Sequence, residues 1–348
     1  MVLVLGLRFW SPVAFSLALA FPATEGWPVA RSRDPVRDEV RIPAAGATLT
    51  ADLYRPAKPR ASLLLVHGLS RAGGRHPELV RLARLLAGHG TLVLVPHFES
   101  LAAFRLSGRE VEEIAAALHY LGRVAGPVGI AGFSFGAGPA LVAAAGVPDL
   151  RLVGSFGGYA DLRHVVAFLT TGVHAFGDRR WVERQEAYNR WKLLALLVPF
   201  VTDARDRDRL ASIAEAKLAS PSAEPPTASL GAEGQSVLAL VLNDREAAVA
   251  PLLAGLPRGA RDAIDRLSPL PLVARLPGRV LIAHGIADDS IPFTESLRLA
   301  EAAGGRARLA ILRTFQHTGP GSFWASLGDR ARDGASLFLL ADDLLAGR

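Results

Sequence analysis

The chain has 348 residues, 50% of them hydrophobic and 21% charged, enough to bury the core of one large α/β domain or two modest ones and unlike a disordered chain. Cysteine is absent, which excludes disulfides, zinc fingers, iron–sulfur centres and a cysteine nucleophile. The net charge of +6 comes from arginines interspersed with acids, lysine occurring only at Lys58, Lys192 and Lys217. No basic run or interleaved aromatic stripe is present, so no nucleic-acid partner is expected.

Residues 1–23 form an apolar run broken by Arg8, Ser11, Pro12 and Ser16 and rich in small residues toward its end. Ala18-Leu19-Ala20 offers a leader-type cleavage pattern, although Arg8 alone is a thin basic region, and Arg8 and Pro12 interrupt a membrane span. Residues 1–30 are therefore read as a separate apolar segment, with export or membrane association through residues 1–23 as the expectation. The alternative is a buried N-terminal helix of a cytoplasmic protein.

Beyond a polar stretch at 25–35, segments 36–42 and 47–54 flank Ala45-Gly46 and read as an antiparallel pair. Continuous apolar runs at 63–66, 92–95, 128–131 and 152–156 suit strands buried on both faces. Between them, residues 79–86 and the series Val111, Ile114, Ala115, Leu118 and Leu121 repeat at helical spacing. From 161 to 268 the chain reads as mostly helical, with a linker-like Ser-Pro-rich stretch at 220–226. Strand 279–283, helix 293–303, strand 308–312 and a helix near 322–345 then complete the alternation. Such alternation signifies a mostly parallel sheet wrapped by helices, here interrupted by a helical cap insertion at 161–268 that is expected to line the site.

The strongest local signal is Gly132-Phe133-Ser134-Phe135-Gly136, directly after a predicted strand and before a predicted helix at 138–145. A serine on such a sharp turn projects its hydroxyl from the sheet, and flanking glycines leave room for the bend. The helix that begins there points its positive end at developing negative charge. Pro139 removes an amide early in that helix and is expected to loosen it. A serine nucleophile needs a histidine base, and that base needs a carboxylate to fix its tautomer. Asp288, in the loop after strand 279–283, and His317, after the next strand, follow Ser134 in the order acid then base. Asp289 and, after it, Asp161 are the alternative acids. The other eight histidines precede the acid; His67 and His284 stand before glycine at strand ends and read as structural. The backbone N–H groups of Phe135 and of Leu69, beside the turn at His67-Gly68, are candidates for an oxyanion hole.

Together, His67-Gly68, the Gly132–Gly136 pentapeptide, His284-Gly285-Ile286-Ala287-Asp288 with Pro292, and His317 resemble the α/β-hydrolase superfamily, from about Val36 to the C-terminus. The two-stranded entry is similar to that of its small esterases and serine aminopeptidase-like members. The resemblance implies an α/β fold with an eight-stranded, mostly parallel sheet over residues 31–348 and a helical cap over the pocket. It implies a serine hydrolase acting on an ester-like bond of a small, partly apolar molecule, with Ser134, Asp288 and His317 catalytic. A short-peptide-cleaving peptidase, marked by acids such as Glu183, Glu186 or Asp203 converging in the cap, is one alternative. A thioesterase with an arginine-lined channel and a non-catalytic binding protein of the same fold are others. No metal or nucleotide motif is present, so no metal and no cofactor are expected, and nothing specifies an oligomeric state.

Overall fold

The computed structural model describes residues 2–21, 24, 35–44, 46–220, 229–313, 315–316, 319–320 and 327–346. The sheet is built from β1 (Val36–Ala44), β2 (Ala47–Arg55), β3 (Ala61–Val66), β4 (Thr91–Pro96), β5 (Val128–Phe133), β6 (Leu152–Phe156), β9 (Arg279–Gly285) and β10 (Ala307–Leu312). Their spatial order is β1-β2-β4-β3-β5-β6-β9-β10. β1 and β2 pair antiparallel through a turn containing Gly46 at φ 79°, and β2 meets β4 antiparallel. All other neighbours run parallel. The apolar runs at β3 and β4 lie wholly buried, as strands covered on both faces must.

Successive residues of a strand face opposite sides, and β3 shows the consequence. Leu64 and Val66 belong to a core shared with α4 (Glu110–Val124), α5 (Ala137–Ala144) and α12 (Thr294–Ala303). Leu63 and Leu65 belong to a second core beneath α1 (Val2–Ala20), α2 (Pro77–Gly88) and α13 (Leu327–Leu345).

The N-terminal apolar run is thus a packed helix: Phe15 and Ala18 of α1 are buried with Leu337, Leu340 and Leu344 of α13. No helix among the described residues is long and apolar enough to cross a membrane. Pro139 falls in the first turn of α5, where amides lack intrahelical acceptors, and the helix runs on to Ala144.

Between β6 and β9 lie α6 (Leu162–Thr171), α7 (Ala187–Leu197), α8 (Ala204–Ala219), α9 (Ala232–Leu242), α10 (Glu246–Ala254) and α11 (Arg258–Leu267). The same stretch also holds a hairpin that the helical reading missed, β7 (Val173–Phe176) with β8 (Arg179–Val182). Its turn carries Gly177 at φ 56°, and His174 stacks on Trp181 across the pair at 5.3 Å. Residues 221–226 of the linker and the start of the predicted C-terminal helix, 322–326, lie outside the described residues.

Candidate active site

β5 delivers Ser134 at the central, carboxyl end of the sheet, and a tight helical turn leads from it into α5. Ser134 has φ 50°, a left-handed conformation uncommon for a residue with a side chain. The residues two places to either side, Gly132 and Gly136, stand where a side chain would be crowded. A Cβ on Gly136 would stand 2.1 Å from the His67 carbonyl oxygen, and one on Gly132 would stand 2.4 Å from the Ala137 Cα. The turn after β3 closes over the serine: a Cβ on Gly68 would lie 2.9 Å from the Ser134 Cβ and 3.3 Å from its Oγ. Leu69 follows immediately and lines the same cavity, whereas Phe135 is buried with its ring against Tyr159 at 5.6 Å. Ser134 opens the helical turn, so the Phe135 N–H is among its leading amides, which lack an acceptor within the turn.

Asp288 is 3% exposed and opens on the cavity that Ser134 lines. Its Oδ1 accepts from the backbone N–H groups of Ser290, at 2.9 Å, and Ile291, at 3.0 Å, which fixes the carboxylate against its loop. Its Oδ2 lies 3.4 Å from the His284 Nε2. Asp289 is turned elsewhere: its backbone oxygen accepts from Asn189 of α7 at 2.9 Å, and its side chain accepts from Ser290. Asp161 caps α6 through the Arg163 N–H and pairs with the Arg163 guanidinium. Neither alternative acid lines the cavity. His317 lies outside the described residues.

Three histidines line the cavity, His67, His76 and His284, and two of them, His67 and His284, are committed to backbone or side-chain bonds. The Phe98 N–H donates to the His67 Nε2 at 3.0 Å, so the ring proton sits on Nδ1 and donates to the Gly68 oxygen at 2.7 Å. His284 bridges the Ser296 Oγ and the Ile291 carbonyl oxygen. The structural reading of these two residues agrees with that geometry.

Burial pushes the His67 pKa down to about 4, opposed by its bond to Gly68, and burial does the same for His89, also to about 4. Unfolded, each ring takes a proton near pH 6.5; folded, only near pH 4. The unfolded chain therefore binds more protons between those values, and stability falls as the pH drops through that window. The expected loss is on the order of 3 kcal/mol per ring. Following the histidine ring protons by NMR should leave both residues neutral down to roughly pH 5. Titration of both near pH 6.5 would contradict this.

The cavity has a volume of about 340 Å³. Its lining includes the polar residues Ser70, His76 and Glu78, none of which the sequence singled out, and the apolar residues Leu79 and Leu82 of α2, Phe133, Phe156 and Leu312. Leu19, from α1, also lines it. No residue of 161–268 lines it among the described residues, contrary to the expected role of the insertion. α7 instead braces the acid loop from behind, Asn189 bonding both the Asp289 oxygen and the Ser290 Oγ. The acids proposed to converge for a peptidase do not line the cavity either: Glu183 pairs with His174, and Asp203 caps α8. Among the described residues no group of three or more His, Asp or Glu side chains is placed to hold a metal ion.

No protein-family model matches the chain, and no curated protein sequence matches it. Solved structures do. The chain is similar to an acylaminoacyl peptidase in complex with Z-Gly-Gly-Phe-chloromethyl ketone, with TM-score 0.52 and 14% identity over 90% of this chain and 41% of that one. It is similar to the 2,6-dihydroxy-pseudo-oxynicotine hydrolase, with TM-score 0.51 and 16% identity over 90% of this chain and 70% of that one. In this chain β2 alone runs antiparallel to its neighbours, and the serine turn follows β5.

The chain has the α/β-hydrolase fold. A third match, Pyrococcus horikoshii acylaminoacyl peptidase, has TM-score 0.50 and 13% identity over 85% of this chain and 40% of that one. The chain thus spans about two fifths of the length of the two peptidase chains. Within this α/β-hydrolase fold, Ser134, Leu69 and Asp288 meet at one cavity from three separate strand ends.

Proposed function

We propose that the chain is a serine hydrolase that cleaves an ester-like bond of a small, partly apolar substrate through an acyl-enzyme. The observation that carries this reading is the left-handed Ser134 under the Gly68 turn, at a cavity into which the buried Asp288 also opens. In this mechanism His317 takes the Ser134 proton as Oγ attacks the carbonyl carbon, and the Phe135 and Leu69 N–H groups hold the oxyanion. The protonated His317 then gives its proton to the leaving alkoxide. Water, deprotonated by the same ring, releases the acyl group. Asp288 orients His317 and stabilises its charged form.

The apolar wall supports an ester with a hydrocarbon acyl or alcohol part. A thioesterase reading would gain support from arginines at the cavity, and none lines it among the described residues. A panel of nitrophenyl esters beside aminoacyl nitroanilides tests the assignment. Turnover of short- and medium-chain esters, absent in Ser134→Ala, is expected; turnover of the anilides alone would replace it with the peptidase reading, and no turnover of either would favour a non-catalytic binding protein.

A further inference from the structure

α1 does two things at once. Its inner face is locked to the domain, and its last turn reaches the cavity that holds Ser134. Phe15 and Ala18 are buried, and the Phe15 ring meets the edge of His89 at 5.6 Å. The Ser11 Oγ lies 2.7 Å from the His89 Nδ1. The C-terminal carbonyls of the helix are held by a cation, as helix ends favour. Arg81 of α2 donates to the Ala18 oxygen at 2.5 Å and to the Leu19 oxygen at 3.3 Å. The same guanidinium pairs at 3.1 Å with Glu78, which also lines the cavity. Leu19 is thereby fixed where it lines the cavity while packing on the core that contains Leu79 and Leu312. Trp10, Val13, Leu17 and Phe21 point away from the domain and are exposed.

We propose that the last turn of α1 is a specificity element of the site, with Leu19 closing its apolar side and limiting the length of the acyl group accepted. This rests on the serine-hydrolase reading. The insertion at 161–268, which would ordinarily be the place to seek such a limit, contributes no wall to the cavity among the described residues. Arg81 is a positioning residue: it acts by holding the Leu19 backbone.

The ratio of kcat/KM for nitrophenyl octanoate to that for nitrophenyl acetate measures the effect, with a fluorophosphonate label on Ser134 recorded for each variant. Leu19→Ala is expected to raise the ratio about tenfold, Leu19→Phe to lower it by a similar factor, and Arg81→Ala to raise it less. Leu17→Ala, on the exposed face, should leave it unchanged. If Leu19→Ala fails to fold, Leu19→Phe carries the test in the opposite direction. Unchanged ratios in variants that still label at Ser134 overturn the role of the helix alone. A wild-type chain that neither labels at Ser134 nor cleaves either ester overturns the hydrolase reading beneath it.

Discussion

Asp288→Asn is expected to lower kcat on a nitrophenyl ester about 10⁴-fold while leaving the fold intact. Asparagine keeps an oxygen for the two bonds that Ser290 and Ile291 donate to Oδ1, so the loop retains its anchor. What disappears is the negative charge facing the cavity, and with it the fixed tautomer and the stabilised imidazolium of the proposed His317 base. Circular dichroism and a urea midpoint near the wild-type value would establish that the loss is chemical. Asp289→Asn, altering a residue turned toward Asn189 and Ser290, should reduce kcat less than tenfold. Equal losses in the two variants would contradict the assignment of Asp288.

The second large effect concerns the backbone. Gly136→Ala would put a Cβ 2.1 Å from the His67 carbonyl oxygen and 3.1 Å from that of Val66, and neither is the end of a flexible side chain. The serine turn and the end of β3 must then move apart, shifting Ser134 from the Gly68 turn. The expected cost is about 3 kcal/mol of stability together with loss of most of the activity. Gly146→Ala serves as the control, since its Cβ would meet the Ala143 oxygen at an ordinary 3.5 Å. Urea midpoints for the two variants check the contrast; a neutral Gly136→Ala would show that the turn does not depend on this close approach.

Most of the sheet was legible in the sequence because its strands are buried on both faces and so read as uninterrupted apolar runs, as at β3 and β4. The hairpin β7–β8 was not. Arg179 and Arg180 give β8 a polar start, and what holds the pair is the stacking of His174 on Trp181, a pairing no local periodicity announces. The turn at Ser134 was legible because it requires small residues at fixed offsets, and Gly132 and Gly136 stand where backbone leaves no room for a side chain. The different surroundings of Asp288 and Asp289 emerge only in the folded loop, since adjacent carboxylates have the same place in the chain order.

The walls of the cavity were hidden for a different reason. A helical apolar stripe says that a helix packs, but not on which face of the sheet or beside which loop. Leu19 therefore read as part of a leader or anchor, with a buried helix as the alternative, and the insertion as the lining, although its tryptophans and leucines read more readily as packing residues. In the structure those residues pack: Trp191, Leu194 and Leu197 are buried in the first core, together with residues of the sheet and its helices.

The central claim is that Ser134 is the nucleophile, and covalent labelling tests it most directly. Purified wild-type chain and Ser134→Ala are incubated with a fluorophosphonate, digested, and mapped by mass spectrometry. One adduct per chain on the peptide carrying Ser134, absent from the variant, is the result predicted. An adduct that persists in Ser134→Ala, or a folded wild-type chain that takes up none, would contradict it.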